Sequence, residues 1–343
     1  MRDYSVLLSV GDKVPGVFGA TADGAVYSLD VQAGRPTLIA ALGSLDADAA
    51  RAMLARINQA LPLVRAAGGD IAPIAPIGAF AGAPDLVGQG SIIFVADASG
   101  LESANLDGLP AGIVLDRSAR ILELAPLGPD TDLVALFSAA VAGSPSETPR
   151  LCASAAPVLI VPNVAPPAFC QAVIEHFEAS PHSAGVMASY VDGQAQARVD
   201  LGKKHRRDIE LEAGSPLHNA VMQLIAARLV PEIKRAFQKD ITFADRILIA
   251  RYDDDGGYFR RHRDDAAPQT AFRQFALSLN LNTHQYEGGE LMFPEYNDHR
   301  YNPPAGAAAV FSASLLHEAR PVTRGSRYVL LTFLCGDGAA PPA

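Results

Sequence analysis

Hydrophobic and polar positions alternate with two different periods along the chain, and the change of texture falls near its middle. In the first part short apolar runs stand between helix-patterned stretches. PTLIAAL (36–42), SIIFVAD (91–97) and GIVLD (112–116) predict buried strands, and ARILELAPL (119–127) predicts an edge strand. DADAARAMLARINQALPLV (46–64) places apolar residues at helical spacing behind an acidic first turn, and TDLVALFSAAVA (131–142) predicts a closing helix. Strands alternating with helices predict an α/β sandwich. In the second part, a strand in APVLIV leads through Pro166-Pro167 into an amphipathic helix with Phe169, Val173, Ile174 and Phe177 on one face. Residues 215–239 predict a long helix interrupted near Pro231. From Phe243 onward the pattern is that of strands: RILIARY (246–252), GYFRRH (257–262), QFALSLNLN (274–282), GGELMF (288–293), AAAVFS (307–312) and RYVLLTFL (327–334). Short strands with Gly, Asn and Pro turns point to a sandwich or barrel, and helices followed by strands make this part α+β.

A length of 343 residues suits two domains. The junction is expected in AGSPSETPRLCASAAP (142–157), rich in Pro, Ser and Ala, with domains spanning 1–145 and 152–343. Charge follows the same division: residues 1–150 hold 9 Lys+Arg against 16 Asp+Glu, and none of the eight histidines precedes His176. The net charge of -9 argues against general nucleic-acid or anionic-membrane binding, which need a basic surface. Cys152, Cys170 and Cys335 fit neither a disulfide framework nor a zinc ribbon. The start does not read as a secretory signal and no apolar run reaches the length of a membrane span, so a cytoplasmic location is expected.

The first part resembles the thioredoxin fold, and more narrowly the peroxiredoxins, over roughly residues 8–142. GDKVPGVFGATADGAVYSLDVQAGRPTLIAAL is similar to their opening hairpin and first core strand. Peroxiredoxins then carry a cysteine at a helix start, where the dipole lowers the thiol pKa. Here the segment is GSLDADAARAML, and residues 1–150 contain no cysteine. The expectation is a redox-dead domain kept for docking, substrate presentation or formation of a homodimer.

The candidate chemistry lies in the second part: His262 and Asp264 in RRHRDD, His317 in LLHEARPV, and Arg327 in GSRYVLLTF. Two imidazoles and one carboxylate on one face of an iron leave three coordination positions open, which is the facial triad of non-haem Fe(II) oxygenases. The H-x-D spacing suits a strand end, where residues i and i+2 point to one side. By the same parity Arg327, Val329, Leu331 and Phe333 share a face. A guanidinium turned into a barrel is costly to bury alone, and pairing with a dicarboxylate cosubstrate offsets that cost.

Residues about 156–335 resemble the 2-oxoglutarate/Fe(II) dioxygenase superfamily, in its prolyl 4-hydroxylase-like branch. The blocks that carry the likeness are ARYDDDGGYFRRHRD (250–264), FALSLNLN with YEGGELMFP (275–294), and PPAGAAAVFSASLLHEARPVTRGSRYVLLTF (303–333). The resemblance implies a double-stranded β-helix (jelly roll), Fe(II) held by His262, Asp264 and His317, and 2-oxoglutarate held through its distal carboxylate by Arg327. It implies Tyr252 as a lining residue of the cosubstrate and substrate pocket; Asn280 departs from the family pattern, standing where some relatives carry a tyrosine that also contacts the cosubstrate, and Thr332 is another candidate for that contact. Ascorbate is a further cofactor expected on the same basis. The implied activity is hydroxylation of a peptide, protein or small-molecule substrate with release of succinate and CO2. The alternative is a non-catalytic 2-oxoglutarate-sensing or interaction module. A cupin-type metalloenzyme leaves Arg327 without a use. The basic run KKHRRD (203–208) is a solvated loop or, at the barrel mouth, a place where Arg206 or Arg207 positions a polar or anionic substrate. Asp265 competes with Asp264, and Arg320 and Arg324 with Arg327. His176, His182, His205, His218, His284 and His299 receive no role, and Cys335 is expected to be inert.

Overall fold

The computed structural model describes residues 8–14, 17–88, 91–95, 110–143, 151–185, 187–191 and 194–336. The first seven residues, the end of the SIIFVAD run and residues 144–150 of the expected junction lie outside the described residues. The chain divides into two compact units, residues 1–149 and 150–343.

The first unit is built on a seven-stranded sheet. Its strand order is Val26–Ser28, Phe18–Ala20, Ile93–Val95, Asp70–Pro76, Thr37–Ala41, Ala111–Leu115, Ile121–Pro126. The three strands in the middle of that order (93–95, 70–76 and 37–41) run parallel, and Ala111–Leu115 and Ile121–Pro126 follow antiparallel. The two-residue period divides the core. Leu38 and Ala40 face the helices Ala47–Ala66 and Leu133–Val141, whereas Ile39 faces the opposite layer. Asp46 and Asp132 cap these helices by accepting from backbone N–H groups of the first turn.

The strand Asp70–Pro76 carries no strand signal in its pattern, because Pro73 and Pro76 contradict an interior position. The ladder shows why both are tolerated. Asp70 N–H donates to Pro36 and Ile74 C=O accepts from Leu42, so even positions face the 37–41 strand. Ile77 N–H donates to Val95, so odd positions face the 93–95 strand. Pairing with that strand begins only at Ile74, one residue after Pro73, and pairing with the 37–41 strand ends at Ile74, before Pro76. Each missing N–H therefore points past the end of the neighbouring strand.

The second unit has two antiparallel sheets. The larger has the order Leu159–Val161, Ala308–Ser312, Phe275–Asn280, Arg327–Cys335, Phe243–Tyr252, Arg207–Glu210, Ser183–Ala184. The smaller has the order Lys204–His205, Tyr258–His262, His317–Ala319, Leu291–Met292, Arg300–Tyr301. Helices Pro167–Ala179, Pro216–Arg228 and Val230–Phe237 cover the outer face of the larger sheet, where Val173, Phe177, Ile225 and Ile233 meet Ile249, Leu279, Leu330 and Leu334. The inner face turns Ala250, Tyr252, Ala276 and Val329 toward Leu291, Phe293 and Ala319. The result is a sheet-rich, jelly-roll-like core with the candidate site between the sheets.

Two expectations are corrected. GGELMF is not one strand: Gly288 and Gly289 have φ of 77° and 70°, so Glu287–Gly288 pairs with Val322–Arg324 while Leu291–Met292 joins the smaller sheet. KKHRRD is not a solvated loop. Lys204 and His205 pair with Phe259 and Tyr258 in the smaller sheet, and Arg207 begins a strand of the larger one. Arg206 sits at the crossing between the sheets and is buried there, as is Lys204. Among the described residues no helix is long and apolar enough to cross a membrane.

Candidate metal centre

His262 ends its strand directly opposite His317 in the antiparallel ladder, so register alone brings the two imidazoles together. A bulge between Phe259 and His262 turns both of these side chains into the same cavity. Asp264 lies just past the strand, held by its N–H to the carbonyl of Ala313 at 2.9 Å. Its two carboxylate oxygens stand 3.4 Å from His262 Nε2 and 3.4 Å from His317 Nε2. The three ligand atoms lie within 4.8 Å of one another. Metal bonds of about 2.1 Å at right angles place donors about 3 Å apart, so this donor set fits one ion after small adjustments.

The backbone fixes the tautomers. His262 Nδ1 contacts Arg260 C=O at 2.7 Å, and His317 Nδ1 contacts Leu315 C=O at 2.9 Å. A carbonyl only accepts, so each Nδ1 carries the proton and each Nε2 lone pair faces the cavity. Phe259 stacks on His262 at 3.4 Å between centroids, and Phe311 packs edge-on against His317 at 4.7 Å. Burial pushes the His317 imidazolium down to about 4, against the pull of Asp264, so His317 is neutral and able to ligate near neutral pH. Burial works to raise the Asp264 carboxyl, but His317, His262 and Arg273 outweigh it and hold it below the usual range.

Arg327 closes the other end of the cavity. It is 2% exposed. Its Nη2 donates to Asn280 Oδ1 at 3.1 Å and approaches Ser278 Oγ at 3.4 Å, and its Nε has no partner. No carboxylate of the described residues pairs with it. A buried guanidinium with a free edge facing a cavity is a receptor for an anion.

Residues 247–335 match the family model of the 2OG-Fe(II) oxygenase superfamily. A PKHD-type hydroxylase of Paraburkholderia phymatum is 30% identical over 180 residues, covering 50% of this chain and 74% of that protein. The chain belongs to this superfamily. A PKHD-type hydroxylase of Hyphomonas neptunium is 27% identical over 157 residues, 43% of this chain and 67% of its own length. A Pseudomonas putida prolyl-4-hydroxylase structure shares 20% identity with a TM-score of 0.40, covering 53% of this chain and 94% of that one.

Family membership makes this oxygenase an Fe(II)- and 2-oxoglutarate-dependent hydroxylase, and the cavity is built from the expected residues only in part. Tyr252 lines it. Arg206 lines it as well, and its Nη1 donates to the Tyr252 hydroxyl at 2.8 Å. Arg207 does not: it is drawn away into an ion pair with Asp253 and a contact with His182 at 3.0 Å. Thr332 does not either. Its strand parity turns it to the helix-covered face with Leu330 and Leu334, where its hydroxyl donates to Asp245 C=O at 2.7 Å. Asn280 stands beside Arg327, but its amide N–H groups are spent on Thr283, Asn302 and Pro303. It holds the guanidinium rather than reaching the cavity. Asp265 is taken by Ser314. Cys335 is buried, and burial raises its thiol pKa.

Three contributors carry no signal of chemistry in the sequence. Ser278 lines the cavity next to Arg327 and reads as an ordinary small strand residue. Gly289 gives Arg327 its room, since a Cβ there would lie 2.8 Å from Arg327 Cδ. Arg273 stacks on Phe333 at 3.6 Å and pairs with Asp245, backing the cavity wall.

Proposed function

We propose that His262, Asp264 and His317 hold the Fe(II) and that Arg327 receives the distal carboxylate of 2-oxoglutarate. The observation that carries this reading is the combination of two backbone-locked Nε2 lone pairs and a carboxylate with a buried, unpaired guanidinium edge in the same cavity. With dioxygen as the oxidant, bound iron and 2-oxoglutarate would supply oxidative decarboxylation of the keto acid to succinate and CO2, one oxygen atom going to succinate and the other to a C–H bond of the substrate. The residues of the chain do the rest. The carbonyls of Arg260 and Leu315 keep both imidazoles in the ligating tautomer. Phe259, Phe311 and Leu331 give the cavity apolar walls. Asn280 orients the Arg327 guanidinium so that its remaining N–H groups face inward.

The substrate in this proposal is a peptide, a protein or a small molecule, a peptide or protein being favoured because a thioredoxin-like first unit suits the holding of a chain. The same proposal takes the first unit as thioredoxin-like, a reading supported by its three parallel strands, the two antiparallel strands that follow them and the helices 47–66 and 133–141. Without cysteine it has no thiol chemistry, and its proposed part is docking of a substrate chain or of a second copy. The test is succinate formation on a peptide and metabolite panel, with a gain of 16 daltons on the substrate read by mass spectrometry. Product requires both iron and 2-oxoglutarate and falls to background in His262→Ala. An iron-loaded protein that consumes no 2-oxoglutarate, coupled or uncoupled, contradicts the proposal.

A further inference from the structure

Between the two sheets, next to the metal centre, lies a row of buried charge that the metal and Arg327 do not account for. Lys204, Arg206 and Asp208 are packed together, with Lys204 and Arg206 buried. Asp208 faces one edge of the Arg206 guanidinium, Oδ1 to Nε at 2.7 Å and Oδ2 to Nη2 at 3.2 Å. Lys204 Nζ stands 3.4 Å from the same Oδ2. The guanidinium is wedged between the rings of Tyr252 and Phe259, at 5.6 and 5.4 Å from their centroids. Its free corner, Nη1, donates to the Tyr252 hydroxyl at 2.8 Å.

That hydrogen bond has only one possible direction. A guanidinium has no acceptor, so the phenol oxygen must accept. The phenol has one proton of its own, and no acceptor for it occurs among the described residues. Tyr252 is 2% exposed and lines the cavity, so the proton is turned into the cavity rather than to bulk water. Across the ladder Tyr252 pairs with Arg327, whose guanidinium carbon lies 5.3 Å from the Tyr252 ring. Tyr252 and Arg327 therefore line the same cavity side by side.

We propose that Arg206 is a positioning residue: held by Asp208, it fixes the Tyr252 hydroxyl as a donor to the same carboxylate that Arg327 receives. The inference rests on the reading of Arg327 as the receptor of 2-oxoglutarate and extends it to a residue that touches no cosubstrate itself. It also accounts for the buried basic cluster inside KKHRRD. The ion pair with Asp208, with its hydrogen bond from Nη2, holds one side of the guanidinium, and its place between Tyr252 and Phe259 directs Nη1 to the phenol.

The test is the dissociation constant of 2-oxoglutarate, measured anaerobically by calorimetry on the full-length protein loaded with Mn(II). The variants are Tyr252→Phe, Arg206→Leu, Arg206→Lys and the double substitution Arg206→Leu/Tyr252→Phe. Loss of one hydrogen bond to a charged group weakens binding about tenfold in Tyr252→Phe. Arg206→Leu weakens it several-fold on its own and adds nothing in the Tyr252→Phe background. Arg206→Lys, which still donates to the phenol, recovers part of the loss. Equal losses from Arg206→Leu in both backgrounds, or an unchanged constant in Tyr252→Phe, overturn the inference and leave the assignment of Arg327 standing. A wild-type protein that binds metal but no 2-oxoglutarate overturns both. Tyr252→Phe keeps the ring and its packing, so the outcome is decided even where Arg206→Leu fails to fold.

Discussion

Arg120 in the first unit and Arg327 in the second are both almost wholly buried, at 1% and 2% exposure. They meet that cost differently. Arg120 is held by its own unit: its Nη1 donates to Gly11 C=O at 2.9 Å, and its backbone N–H donates to Asp116, which also holds Ser118. It ties the segment around Gly11 and Lys13 to the strand 121–126. Arg327 is held on one side only, by Asn280 and Ser278, and its other edge faces the cavity that contains the triad. Burial of a charge is therefore not what marks a site. The mark is a buried charge whose pairing is left incomplete toward a space that a ligand of opposite charge fits.

The sharpest way to break this comparison is to remove each guanidinium. Arg327→Gln takes away a charge-assisted pair worth roughly 2–3 kcal/mol, so the KM for 2-oxoglutarate rises about 30- to 150-fold while thermal stability changes little. Arg120→Gln has the opposite profile: a loss of about 1–3 kcal/mol in the stability of the first unit, and no change in the KM for 2-oxoglutarate. Steady-state succinate assays and denaturant unfolding check both. A KM effect from Arg120 or a purely stability effect from Arg327 removes the distinction.

A smaller effect is expected at Gly289. Its φ is 70°, and a side chain added there would bring Cβ to 2.8 Å from Arg327 Cδ. Gly289→Ala therefore strains the backbone by about 1–2 kcal/mol and displaces the guanidinium. Both a lower melting temperature and a raised KM for 2-oxoglutarate follow, without a change in iron content.

How far this was legible in the sequence depends on what each residue's neighbours look like. His262, Asp264 and His317 stand out because ligand types at strand-end spacing are rare, and the ladder register that joins His262 to His317 follows from two short strands. Thr332 was separable from the cavity on parity alone: Arg327, Leu331 and Phe333 point one way and Thr332 the other. The burial of Lys204 and Arg206 was hidden, although Arg206 stood as a candidate, because a run of five basic residues and one acid has the pattern of a solvated turn. Only the crossing between two sheets buries alternate members of that run. The strand 70–76 was hidden by its prolines, whose positions make sense only once the ends of both neighbouring strands are known.

A pH-dependent effect is expected at the cluster of Lys204, Arg206 and Asp208. Burial, aided by the charge of Arg206 and opposed by Asp208, pushes the Lys204 ammonium down to about 7 from its ordinary 10.5. Between these values the unfolded chain binds more protons than the folded one, so stability rises with pH across that window. Lys204→Met flattens the rise in urea midpoints measured from pH 7 to 10. An unchanged slope shows that Lys204 reaches solvent.

The most direct test of the central claim is anaerobic titration of the protein with Fe(II), in the presence and absence of 2-oxoglutarate, followed by metal analysis and absorbance. One iron per chain is expected, with a new visible absorption band only when 2-oxoglutarate is added. The iron is lost in His317→Ala, and in Arg327→Gln the band appears only at much higher 2-oxoglutarate. Iron bound with full stoichiometry in His317→Ala, or a band whose concentration dependence is indifferent to Arg327, contradicts the account.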